Sequence, residues 1–275
     1  FFNIETLCND ALETVVPSIS TGSNTATGLI NPVLDVCQSI SINFVSTVSS
    51  FHLNAYPFKM WGLWFVGCSL DEYLQKKISE EKYSEYENGY DNVYINYFAS
   101  GNNVSNGFVK CSTKQGEFGN YFGPELGLAE GLHEAYPDQL FFIIKWAWGG
   151  TNLFEQWLSP SSKGKTGKLY NQFVKYVETS LEYLVSKDYD ISIEGMCWMQ
   201  GESDSFSVKN AKDYETNLTN FIKDIRKKFF RYESNDGIAF IDAEIADNPV
   251  YWVYCEYVNK SKHNLLGVID SYSLI

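Results

Sequence analysis

Two apolar runs in this chain each end in a corner that could do chemistry. Residues 141–144 (FFII) run on through Lys145, Trp146, Ala147 and Trp148 into Gly149-Gly150-Thr151. Residues 191–198 (ISIEGMCW) lead into Gln200-Gly201-Glu202-Ser203-Asp204. Such runs read as buried parallel strands. In open α/β sheets, ligands bind just beyond the carboxyl ends of the strands. Adjacent glycines let backbone N–H groups approach a developing negative charge without a side chain in the way. The second corner supplies an amide and two carboxylates. The two corners therefore read as two walls of one site. Taken singly, Gly149-Gly150-Thr151 is also an ordinary tight turn, and Glu202 with Asp204 an ordinary capping or ion-pairing pair. Three polar side chains gathered after one buried strand favour a site.

The elements that must position these corners alternate along the chain. Residues 61–66 form a compact apolar run that reads as the first core strand, followed by a strand-to-helix turn at Gly67-Cys68-Ser69-Leu70-Asp71-Glu72. Residues 76–88 are charged and read as solvated. Residues 93–98 read as a second strand, and 99–119, with several Gly and Asn, as loop. Pro124 opens a helix to Ala135, its ring suited to a first helical turn. Residues 169–186 carry Phe173, Val177, Leu181 and Leu184 as a helical stripe, and 214–230 carry Leu218, Phe221, Ile222 and Ile225. Residues 238–241 give the last clear strand. Alternating strands and helices imply a parallel sheet with right-handed crossovers. At 275 residues the chain fits one large α/β domain, or one domain plus an extension. Residues 1–58 read as an N-terminal extension or small subdomain, and 59–275 as the main domain.

The strings FGPELGLA (from Phe122), KWAWGGTNLFEQW (Lys145 to Trp157) and WMQGESD (from Trp198) occur in this order. Together they resemble the SGNH-type carbohydrate esterases of the sialic acid O-acetylesterase and acetylxylan esterase group, from about Trp64 to Asp270. The resemblance implies a three-layer α/β/α, flavodoxin-like fold with a mostly parallel five-stranded sheet. It implies a serine nucleophile that removes O-acetyl groups from sugars, with acetylated carbohydrate as substrate. Its nucleophile sits in a Gly-Gln-Ser-Asn turn after the first strand, which points to Ser69 in Gly67-Cys68-Ser69-Leu70. The glutamine and asparagine are replaced by Cys68 and Leu70. The same serine could simply cap the following helix. Ser23, in Thr21-Gly22-Ser23-Asn24, is a rival without an apolar strand ahead of it. Gly149 and Gly150 resemble the oxyanion block, Gln200 a second oxyanion donor, and Glu202 and Asp204 the acidic braces of that loop. The family's base lies in an Asp-x-x-His pair near its C-terminus. None of His52, His133 and His263 follows an Asp at that spacing, and the chain stops at Ile275, about where that pair is approached. Two readings stay open: an esterase whose base lies outside these residues, or an esterase fold kept as a carbohydrate-binding module or a subunit of a larger assembly.

Composition narrows the rest. The net charge of −13 argues against nucleic acid or an anionic membrane as the main partner. No apolar run of roughly 18 residues occurs, so no membrane-spanning helix is expected. Aromatic content of 16% is high and suits sugar contact, though an aromatic-rich core would look the same. The six cysteines show no C-x-x-C spacing, and no His/Asp/Glu/Cys cluster has ligand spacing, so neither metal nor cofactor is expected. Cys197 reads as a reduced core residue. The chain opens on Phe1, which reads as a processed or trimmed start. Asn103-Val104-Ser105, Asn217-Leu218-Thr219 and Asn259-Lys260-Ser261 are glycosylation triplets that lean toward a secretory route.

Overall fold

The computed structural model describes residues 58–63, 69–99 and 103–275, with side chains described from Asp71 onward. The extension expected at 1–58, together with Ser23 and His52, lies outside the described residues apart from the Phe58 backbone.

Among the described residues there are nine strands: β1 (Phe58–Leu63), β2 (Ser69–Leu70), β3 (Val93–Ala99), β4 (Val109–Lys110), β5 (Tyr121–Phe122), β6 (Phe141–Ala147), β7 (Ile191–Trp198), β8 (Ala239–Asp242) and β9 (Tyr272–Leu274). Six α-helices accompany them among the same residues: α1 (Asp71–Lys77), α2 (Glu80–Asn88), α3 (Glu125–Ala135), α4 (Lys168–Val185), α5 (Val208–Phe229) and α6 (Cys255–His263). The main sheet has seven strands in the order β4-β3-β6-β1-β7-β8-β9, not five. All its pairings are parallel except that of the two-residue β4 with β3. Five of the strands, β6-β1-β7-β8-β9, follow the doubly wound 2-1-3-4-5 order when counted along the chain. β3 and β4 extend that core at one edge. The extra strand pair comes from the segment between β1 and β6, where the sequence announced β3 but gave no periodicity for β4.

β6 shows how the layers arise. Its residues are all buried, and successive side chains point to opposite faces. Phe142, Ile144 and Trp146 join one core with Phe173, Val177 and Leu181 of α4 and Leu218, Phe221 and Ile225 of α5. Phe141 and Ile143 join another with Leu128, Ala129 and Leu132 of α3. A strand apolar on both faces can be satisfied only by helices on both faces, which makes three layers. Each such buried side chain contributes roughly 1.5–3 kcal/mol.

Several boundaries differ from the sequence expectations. β1 starts at Phe58 rather than 61, the expected 64–66 lie outside the described residues, and Ser69–Leu70 form a short strand paired with β5 rather than a plain strand-to-helix turn. The charged segment 76–88 contains helix α2, capped by Ser79 Oγ, which accepts from Lys82 N at 3.1 Å. Only Tyr83 of that helix is buried, so its pattern reads as solvated. α5 starts at Val208, six residues before the expected 214, behind a Ser207 cap.

The register places the site. Leu63 lies level with Lys145 on one side and Cys197 on the other, so β1, β6 and β7 run level at their carboxyl sides. From β1 the chain builds first toward β6 and β3, then crosses to β7, β8 and β9. The crevice at that switch is where ligands enter such sheets.

Candidate functional site

β6 delivers its last residues to solvent. Ala147 is fully buried, while Trp148, Gly149 and Gly150 are exposed. Gly150 turns left-handed at φ 67°, a conformation that costs other residues about 1–2 kcal/mol. Thr151 Oγ1 closes the turn by donating to Trp148 O at 2.9 Å, and Trp157 Nε1 donates to Thr151 Oγ1 at 2.9 Å. That bond gives Trp157, buried at the end of the KWAWGGTNLFEQW string, a definite task. Among the described residues, the N–H groups of Gly149 and Gly150 have no acceptor.

β7 delivers the second wall. Asp204 has no exposed surface. Its Oδ2 accepts from Leu153 N at 2.8 Å and from Gln200 Nε2 at 2.7 Å, and its Oδ1 accepts from Phe154 N at 3.0 Å. One carboxylate thus ties the QGESD turn to the loop that carries the glycines. Burial raises the Asp204 pKa above the usual carboxylate value, with the bonds from Gln200, Leu153 and Phe154 partly offsetting it. Gln200 Nε2 also donates to Thr151 O at 2.9 Å, so both amide hydrogens serve the brace. Tyr214 Oη donates to Gln200 O at 2.7 Å. As arranged, an oxyanion contact from Gln200 requires release of one of these bonds. Gly201 follows at φ 144°, where an added Cβ would stand 2.6 Å from Val258 Cγ1 of α6. Glu202 is only half-buried, and its side chain has no hydrogen-bond or ion-pair partner among the described residues. Of the two acidic residues expected to brace the loop, Asp204 does so directly.

Two buried ion pairs flank these walls. Lys145 and Glu125 are both fully buried, 2.8 Å apart. Lys145 Nζ also donates to Gln115 O, and Glu125 Oε1 accepts from Gly123 N at 2.8 Å. The FGPELGLA and KWAWGGT strings are therefore joined by charge. Asp242 and Lys262 form the second pair at 2.7 Å, with Tyr272 Oη donating to Asp242 Oδ2 at 2.9 Å. Burial raises the Asp242 pKa, partly offset by Lys262. Lys262 Nζ lies 5.7 Å from the centre of the Tyr214 ring, which links this pair to Gln200. No local pattern announces it: β8 and α6 meet only in space.

Ser69 pairs through its backbone with Phe122, and Asp71 N donates to Asn120 O at 2.9 Å. This stitches the expected nucleophile's segment to the strand that leads into Glu125. The Ser69 side chain lies outside the described residues. His133 is held by Asn92 Oδ1 at 2.8 Å and stacks on Tyr90. His263 ends α6 and is bonded to Glu244, beyond β8. The glycosylation triplets are poorly presented. Asn217 is buried in α5, and the Nδ2 groups of Asn103 and Asn259 are committed to backbone carbonyls. Among the described residues no group of three or more His, Cys, Asp or Glu could hold a metal ion, and no helix is long and apolar enough to cross a membrane.

A family model described as carbohydrate esterase, sialic acid-specific acetylesterase, matches residues 108–273, more than half of the chain. Among solved structures, a protein from Arabidopsis thaliana is similar with a TM-score of 0.55 and 17% identity, over 80% of this chain and 85% of that one. The crystal structure of NanS is similar with a TM-score of 0.55 and 13% identity, over 81% of this chain and 78% of that one. At such identities these likenesses speak for the fold. No curated protein matches the chain.

Proposed function

The chain belongs to the carbohydrate esterases of the sialic acid-specific acetylesterase family, and from that premise we propose that it is a serine esterase that removes O-acetyl groups from carbohydrate. In this reading Ser69 Oγ attacks the acetyl carbonyl. The oxyanion of the tetrahedral intermediate is received by the Gly149 and Gly150 turn with Gln200 beside it, while Asp204, flanked by Glu202, holds the two loops in register. The observation that carries the reading is the Asp204 carboxylate, which accepts from Gln200 and from two backbone N–H groups of the neighbouring loop. A buried carboxylate spent on fixing two loops supports a preorganised donor set, because rigid donors need no reorganisation as charge develops. The three strings that carry the family resemblance meet through this carboxylate and through the Lys145–Glu125 pair.

A general base must take the Ser69 proton, a contribution of about 10²–10⁴ in rate. No residue of the chain is assigned that role. A second reading, a non-catalytic carbohydrate-binding or assembly module, draws on Gln200, whose amide hydrogens are both committed to Thr151 O and Asp204, and on Cys68 and Leu70 beside Ser69. Hydrolysis of 4-nitrophenyl acetate by the full-length protein separates the two. The esterase reading expects turnover that Ser69→Ala abolishes. Turnover unaffected by that change, or none in the native protein, contradicts it.

A further inference from the structure

The chain has a net charge of −13, yet it carries no Asp or Glu from Gln156 to Val177. Lys163, Lys165, Lys168 and Lys175 fall in that stretch, and all four are exposed. None of them makes an ion pair or a cation–π contact among the described residues. Lysines elsewhere are matched: Lys82 by Glu130, Lys110 by Asp91 and Lys114 by Glu87. The first three unmatched lysines lie on the connection that runs from the glycine turn into α4. That connection is held in place. Ser161 N and Oγ donate to the two Asp224 carboxylate oxygens of α5, at 2.8 and 2.6 Å. Asn220 Nδ2 donates to Ser162 Oγ at 3.2 Å, and Gly167 N to Leu158 O at 2.8 Å. The loop is thus seated on α5 beside exposed Lys223, which is also unpaired among the described residues. Asp224, next to Lys223, is spent on Ser161. Like charges gathered without counter-charges repel, and a partner's negative groups would relieve them.

Chemistry selects the partner. Trp157, Tyr170 and Phe221 are buried, and no large apolar side chain from Gln156 to Val177 or from Thr219 to Arg226 is exposed. A sugar face or a nucleobase finds no ring to stack on. A lipid surface finds no apolar group to take up. Arg226 donates to Ile238 O and Ser271 O, so its fork is not offered to a planar phosphate or sulfate. What remains is a set of ammonium point charges on a held loop. They suit carboxylates spaced along a flexible chain.

We propose that Lys163, Lys165 and Lys168, with Lys223 of α5 beside them, form a docking surface for an acidic polypeptide segment of a partner protein. The surface does not depend on Ser69 or on the esterase reading. The test is fluorescence anisotropy of a labelled polyglutamate peptide mixed with the full-length protein at increasing salt. Saturable binding that weakens as salt rises is expected. Lys163→Gln/Lys165→Gln/Lys168→Gln should weaken it about tenfold at low salt. Lys76→Gln/Lys77→Gln/Lys187→Gln removes the same charge from exposed lysines of α1 and of the turn after α4, and should change binding little. Lys163→Arg/Lys165→Arg/Lys168→Arg keeps the charge and should bind as the native protein does, which guards against a loss through misfolding. No binding of polyglutamate at low salt, or an equal loss in the two glutamine triples, overturns the proposal. So does tighter binding of heparin or of phosphatidylserine vesicles than of polyglutamate. Hydrolysis of 4-nitrophenyl acetate reports separately on the esterase reading, and its absence alongside polyglutamate binding would sink that reading and leave the docking surface standing.

Discussion

Lys145–Glu125 and Lys262–Asp242 are alike in burial and unlike in origin. Both pairs have no exposed side-chain surface and sit 2.8 and 2.7 Å apart. The first joins β6 to the start of α3, and both partners lie inside recognisable strings. The second joins β8 to α6, elements separated by a loop and matched by no string. Yet the second also reaches the candidate site. Lys262 faces the Tyr214 ring, and Tyr214 holds Gln200. Familiar sequence blocks thus mark only half of what positions the site. The other half is supplied by contacts that form only when the sheet is assembled.

The comparison can be broken by removing one partner from each pair. Lys145→Met and Lys262→Met each strand a buried carboxylate and should each cost about 3–5 kcal/mol in denaturant unfolding. The double changes Lys145→Met/Glu125→Leu and Lys262→Met/Asp242→Leu should recover most of that. A loss below about 1 kcal/mol for either single change would mean that pair is not sequestered as described. Asp204→Ala comes next. It orphans donors on Leu153, Phe154 and Gln200, and the loss should be at least about 1–3 kcal/mol.

The two walls can also be compared through their glycines. Gly201→Ala should cost more than Gly150→Ala. The first would place a Cβ 2.6 Å from Val258 Cγ1 at φ 144°, whereas the second meets nothing within 4 Å and bears only its φ of 67°. About 1–2 kcal/mol is expected at Gly150. Equal costs would mean that α6 does not press on the QGESD turn.

The smallest expected effect is on pH dependence. The folded Asp204 carboxyl titrates above the unfolded value because burial disfavours its charge. Between the unfolded value near 4 and the raised folded one, the folded state therefore holds more protons. Asp204's contribution to stability is present below that window and declines as pH rises through it. Comparing native protein with Asp204→Asn should show the native form losing more stability as pH rises from about 4. The opposite slope would mean that its hydrogen bonds outweigh its burial.

Local pattern explains what could be read beforehand. β7 matches its expected bounds because 191–198 is buried almost throughout, with Ile191, Ile193, Met196 and Trp198 in the core. α4 matches because Phe173, Val177, Leu181 and Leu184 repeat at helical spacing and are all buried. α6 was illegible because CEYVNKSKH buries only Cys255, Val258, Ser261 and Lys262, a mixed and largely polar set. β9, at three residues, is too short to show alternation. The site divides the same way. Gly149, Gly150, Gln200 and Asp204 stood out by type and position. The grip of Asp204 on Leu153 and Phe154 spans about fifty residues of sequence and has no local signature.

The most direct test of the account is labelling of the full-length protein with a fluorophosphonate probe, with the adduct mapped by mass spectrometry. An adduct on Ser69 is expected, and it should weaken sharply in Asp204→Ala, because the oxyanion wall then loses its brace. An adduct on Ser23, or none on Ser69, would contradict it.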